Sequence, residues 1–336
     1  MNLFHSIFGR HDEGDERIPE GLIERATEHA VDGTDSRLRL LSGYKRHLRE
    51  PVIHAIDHVM KLVDAIPAPI AAGRSEFTVA PALAAFYASA ADMLDHFGRD
   101  RSLANFLESA DGRWAERVTA LLLAERSERT VYGIELKGEL LRREVLQIAI
   151  SFSQHNVVEP AASEEAARHQ LKRRAFEHLL YLALTRIGEV SLERTDLTRQ
   201  RDLLRGKLAA LKRGGWCFNP ADSDHPDPTA LQTELDGISE QLAALGRDDT
   251  VLQSHLEIVA QLLGEAEQHL WAENVTLYID RMNIQREPQD PAARQVALQE
   301  LHNVRDHPLA MLLVSFAPAE LPPREDLVTA AQRYLY

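Results

Sequence analysis

The sequence holds one cysteine, Cys217, so no internal disulfide can form, and the chain suits a reducing compartment. It holds no apolar run approaching the ~18–20 residues of a membrane span. Its most apolar stretches, 118–124 and 309–317, are far shorter. The amino terminus lacks the basic region, long apolar run and small-residue cleavage site of a secretory signal, and a cytoplasmic location is expected. Basic charge is scarce beside acidic. The chain's 38 Lys and Arg against 52 Asp and Glu leave a net −14, a poor default for phosphate backbones or anionic lipid. Absent too are G-x-x-x-x-G-K-[ST], G-x-G-x-x-G, G-x-S-x-G, C-x-x-C and H-E-x-x-H. Nucleotide-driven, dinucleotide-dependent, α/β-hydrolase and thiol-redox chemistries therefore have no local support.

What is present is ordinary soluble composition, 44% apolar and 27% charged over 336 residues, enough for a sizeable core and about two domains. Apolar residues recur at three-to-four spacing from about 35 to 272, which predicts helices over 35–66, 81–97, 102–107, 113–153, 163–213 and 229–273. The fold class expected is mainly α, in effect an all-alpha chain with a small exception at its end. It comprises an N-terminal segment (1–19), a helical bundle (20–160), a long antiparallel coiled-coil-like hairpin (161–273, tip 214–228) and a small α/β tail (274–336).

The hairpin rests on two independent patterns. Leu231, Leu235, Ile238, Leu242, Leu245, Leu252, Leu256, Val259, Leu263, Ala266 and Leu270 alternate by four and three, a heptad seam broken only by Asp249. A looser seam runs from Phe176 to Leu211, interrupted by Arg194 and Arg201. Charge agrees: residues 165–213 hold twelve Lys and Arg against six acids, and residues 229–273 hold one against nine. Helices of opposite sign attract and select an antiparallel register. Folding about residue 221 sets Asp249 beside Arg194 as a register-fixing ion pair. An acidic helix alongside the basic stripe at 172–174 and 199–207 neutralises it, so nucleic acid is not the expected partner.

Beyond 273 the period changes. Residues 275–279 and 310–316 are β-branched and aromatic, as in short strands. Residues 290–303 read as a helix capped by Asp290, and 325–334 as another.

Three places are candidates for function. Glu50, His54 and His58 follow at steps of four, a spacing that lets one helix face share a zinc or iron ion, with His47 or Asp57 completing the shell. The helical wheel sets that stripe opposite the apolar face, and Pro51 stands between its members. Trp216, Cys217 and Phe218 occupy a turn where polar residues are usual, as at a recognition site. Leu3, Phe4, Ile7 and Phe8 form one face of a short amphipathic helix, a hook for a partner groove or a weak contact of residues 1–10 with a membrane surface. A fourth feature is a polar segment holding Glu135, Glu139, Arg142 and Gln147, which leads toward His155, with Gly133 and Gly138 marking close crossings or a kink. Spacings of four also join Asp92 to His96 and Glu265 to His269. The expected function is a non-enzymatic scaffold or adaptor that binds another protein, or a second copy of itself, through the hairpin. The alternative is a zinc- or iron-binding bundle using the His47–His58 face. No resident cofactor is otherwise implied.

Overall fold

A computed structural model describes residues 18–137, 140–212, 228–244, 250–304 and 307–323. The chain divides into two compact units, Met1–Ile56 with Phe176–Ala266, and Asp57–Ala175 with Glu267–Tyr336.

The first unit is helical. It holds α1 (Glu20–Gly33), a 3-10 turn (Ser36–Leu40), the first part of α2 (Tyr44–Asp64), most of the 49-residue α6 (Glu164–Lys212), then α7 (Pro228–Ala244) and α8 (Val251–Gly264). Leu38, Leu48, Val52, Leu179, Ala183, Val259 and Leu263 are fully buried. Further along α6, Leu204 clusters with Leu235, Ile238 and Leu242 of α7, flanked by Leu197 and Leu231. The apolar seams therefore meet, and Ile238 is the residue that a fold-back at 221 sets across from Leu204. Asp249 lies outside the described residues, so the ion pair expected with Arg194 does too. Pro51 does not begin α2 but lies inside it.

A buried ionic anchor joins the 3-10 turn to α8. Asp35 caps the 3-10 turn by accepting from the Arg37 backbone N–H at 3.0 Å, and its other oxygen meets His255 Nδ1 on α8 at 2.8 Å. The Arg37 guanidinium completes the set at 2.7–2.9 Å.

The second unit overturns the expectation of a mainly α chain. Its centre is a curled six-stranded sheet in the order β3 (Leu140–Ala161), β2 (Val118–Lys137), β6 (Leu309–Phe316), β5 (Arg294–Asn303), β4 (Leu270–Ile279). The short β1 (Ile70–Ala71) pairs parallel with β6, and the other pairings are antiparallel. Residues 113–153, expected as one helix, supply β2 and most of β3. Residues 290–303, expected as another, supply β5, and Asp290 caps a turn at Ala292 N (2.8 Å) instead of a helix. The expected helix 229–273 ends as α7, α8 and a short α9 (Ala266–His269), then becomes β4 at Leu270. The strands expected at 275–279 and 310–316 lie within β4 and β6. Segment 325–334 lies outside the described residues.

The physical reason is burial on both sides. Val118, Ala120, Leu122 and Ala124 of β2 pack with Leu312, Val314 and Phe316 under α3 (Pro81–Phe86), α4 (Ala90–Arg99) and α5 (Arg101–Glu108), around Leu83, Phe86, Phe97 and Leu103. Leu121, Met311 and Leu313 point to the other face, against Val63, Ile66, Val158 and Leu171. A strand covered on both faces is continuously apolar and loses the alternation that marks a half-exposed one. On this second face Arg168 ties α6 to the end of α2, donating to the carbonyls of Val63, Ile66 and Pro67 at 2.8–3.1 Å. These carbonyls belong to the last turn of α2 and the residues just past it. Among the described residues no helix is long and apolar enough to cross a membrane.

Candidate functional site

The residues of the expected metal face lie along α2. Glu50 is exposed, 3.6 Å from Arg49. His54 is half-buried on the same helix. His58 donates from Nε2 to the Leu270 carbonyl at 2.7 Å. His47 meets Glu257 at 3.1 Å, and Asp57 accepts from Lys61 at 2.6 Å. Among the described residues no three His, Cys, Asp or Glu side chains gather as an ion requires. Trp216, Cys217 and Phe218, with Leu3, Phe4, Ile7 and Phe8, lie outside the described residues.

The polar segment expected on a helix sits on the β2–β3 ribbon. Position 135 pairs with 142, and Gln147, paired with Val131, reaches its side chain over Gly133 to donate to the Ile134 carbonyl at 3.4 Å. In place of the helix crossing or kink expected at Gly133, the glycine lies on a strand, where a Cβ would stand 2.0 Å from Gln147 Oε1. A register shift follows between Gly133 and Glu135. His155, eight residues from Gln147, is a strand's length of roughly 27 Å away, so the two do not share a pocket.

His155 has its own surroundings. Between the pairs Leu123↔Asn156 and Glu125↔Ser153, β3 carries one residue more than β2, and Gln154 takes a positive φ of 52°. Such a bulge re-aims a side chain. Here the His155 imidazole stacks on Tyr87 (4.5 Å, 25°) and meets His96 of α4 edge-on (5.5 Å), beside the stacked Phe86–Phe152 pair at 4.3 Å. The Tyr87 hydroxyl and the Nε2 atoms of His96 and His155 are buried without hydrogen-bond partners among the described residues. Burial first, then His96, hold the His155 imidazole below its ordinary value, against a backbone hydrogen bond at Phe86 and the Asp92 carboxylate. Burial, then Asp92 and Asp100, push the Tyr87 phenol up. His96, four residues from Asp92 on α4, thus joins Tyr87 and His155 in a cluster of rings.

That cluster makes stability sensitive to mild acid. A histidine depressed in the folded chain binds its proton more readily when unfolded, so stability falls as pH drops below about 6.5. His155→Phe keeps the stack and removes the proton site. Urea midpoints measured from pH 7 to pH 5 are expected to decline less steeply in this variant. Wild-type and variant curves that run parallel would remove His155 as the source.

The more extended feature is the outer half of the ribbon. β6 accompanies β2 only to the pair Glu125↔Leu309, after which β2 pairs with β3 alone as far as Lys137↔Leu140. Registered partners share a face. One face therefore carries Arg126 with Phe152, Glu128 with Ile150, Thr130 with Ile148 and Tyr132 with Leu146. Phe152 and Ile150 belong to the core, and the buried Glu300 of β5 meets Arg126 at 2.5 Å where the sheet ends. Beyond that point the apolar row continues uncovered: Ile148 is 40% exposed, Leu146 62%, Ile134 60% and Tyr132 77%. The turn at 283–285 covers β3 only near its base, where Ile150 N donates to the Asn283 carbonyl and Gln285 N to the Ile148 carbonyl.

Compared with known proteins, the chain matches no family model, no curated protein and no solved structure.

Proposed function

We propose that this protein is a non-enzymatic assembly component that works by protein–protein contact, with the outer β2–β3 ribbon as its contact arm. The observation that carries this reading is the row Ile148, Leu146, Tyr132 and Ile134. It prolongs the core face of the sheet past its last covering element. Contiguous exposed apolar surface rimmed by charge is what interaction sites present and what isolated monomers avoid. The two long helices joined at residues 213–227 add a second extended surface, on which Tyr181, Leu192 and Leu203 of α6 are 59–65% exposed.

The test is a photo-crosslinking amino acid placed at Tyr132 or Leu146 in the full chain, in cells. Val79, exposed to the same degree (78%), serves as the control. Adducts to a polypeptide at the two arm positions and not at 79 are expected. Arm adducts no more abundant than those at 79 overturn the reading.

A further inference from the structure

Resting on that reading, we infer that the arm's partner is a second copy of this chain, joined edge to edge through β2 in an antiparallel register with Tyr132 on the two-fold axis.

The free edge is long. Past Glu125 no described strand lies on the outer side of β2, and no backbone hydrogen bond other than those to β3 involves residues 126–137 among the described residues. Native edges of this length are blunted by proline, inward charge or a covering element. The ribbon from 118 to 159 contains no proline. Its unpaired backbone groups form a template for another strand, and its apolar row needs a cover that the same strand would extend.

Charge selects the occupant. The whole chain carries −14, so two copies repel across most surfaces they could offer each other. The arm is the exception: residues 126–152 hold five Lys and Arg against four Glu. It is near-neutral and mixed in sign, so it can face itself.

Register follows from parity and charge. A two-fold axis perpendicular to the ribbon keeps both apolar rows on one face only if a residue pairs with one of the same parity. With the axis at 132, Arg129 stands across from position 135 of the second copy, a glutamate, and this occurs twice. Tyr132 meets Tyr132 and Thr130 meets Ile134, so the exposed row becomes continuous across two arms. An axis at 133 sets Arg129 against Lys137. An axis at 131 sets it against Gly133 and leaves Glu128 against Ile134. Among same-parity registers that overlap the free edge by more than three residues, only the one centred on Tyr132 pairs opposite charges within it.

The experiment is sedimentation equilibrium on the full chain with a charge swap. Wild type is expected at twice 37.8 kDa. Arg129→Glu alone and Glu135→Arg alone each oppose like charges at two places and weaken self-association by about tenfold. The double variant restores it, and a fold defect would not be repaired in that way. A monomeric wild type, a dimer indifferent to Arg129→Glu, or a double variant no tighter than the singles overturns the inference. A monomer that still forms Tyr132 adducts with a different polypeptide overturns the self-pairing and leaves the assembly reading in place. Absence of arm adducts strikes the assembly reading itself.

Discussion

Asp35→Ala is expected to lower the stability of the folded chain by about 3–5 kcal/mol, because removing one partner of a buried polar pair leaves the rest uncompensated. The contributions are unequal. Arg37 is 63% exposed at its side chain, and its ion pair with Asp35 is worth little for that reason. The contact that decides is the one to His255, where both side chains are under 10% exposed. Alanine also strips the cap from the 3-10 turn, a loss of about 1 kcal/mol by itself. A fall in the thermal midpoint on the order of 10 °C is the expected reading. Asp35→Asn, which can still cap the turn and bond His255, should lose much less. The acid limb gives a second readout. Arg37 foremost, then His255, hold the Asp35 carboxyl well below its ordinary range. A carboxylate depressed on folding stabilises above its unfolded value of about 4, and that stabilisation is lost as pH falls below it. This window is separate from the His155 window above pH 5. A midpoint for Asp35→Ala within about 2 °C of wild type would mean that the anchor does not hold α8 to the turn.

The helical half of the chain is legible in its sequence for reasons that the sheet half does not share. α6 and α7 each expose one side, so their apolar residues keep a spacing of three and four. The opposite charges of the two segments repeat the message. α5 contains the expected helix 102–107, and Asp100 caps it by accepting from Leu103 N. β2 offers no such contrast where it is buried, since 120–124 are apolar without interruption and fit a core helix as well as a central strand. The outer ribbon did carry a signal. Leu146, Ile148, Ile150 and Phe152 alternate by two, as do Thr130, Tyr132, Ile134 and Leu136, and that period belongs to a strand. Apolar Val131 and Ala149 at intervening positions blur that alternation. For the candidate sites the difficulty is different. Spacing places Glu50, His54 and His58 near one another, but says nothing of the Leu270 carbonyl, more than two hundred residues on, that engages His58. The cluster of Tyr87, His96 and His155 comes from three elements brought together by tertiary packing and one bulge.

The largest effect in the sheet unit is expected at Phe97. Its ring is fully buried between Phe316 of β6 (4.9 Å) and the edge of Tyr87 (6.1 Å, 88°). Phe97→Ala removes a side chain that touches both the sheet and the Tyr87–His155 stack, and such truncations cost about 3–5 kcal/mol. The local geometry narrows that range. A groove of about 240 Å³ lined by Phe97, Leu103, Leu107, Pro318, Leu321 and Pro322 already adjoins the ring. The space left by truncation opens into it and can fill with water, which spares part of the penalty of a sealed void but wets the underside of Tyr87. The lost ring contacts and the new hydration act on the same stack, so the upper part of the range is expected. Leu107→Ala, on the half-exposed wall of the same groove, is the comparison: it removes area that water already reaches and should cost about 1 kcal/mol. Urea unfolding of the two variants measures the difference directly. If the two losses are equal, Phe97 is not the residue through which α4 holds the sheet, and the packing of Tyr87 and His155 must depend on β3 alone.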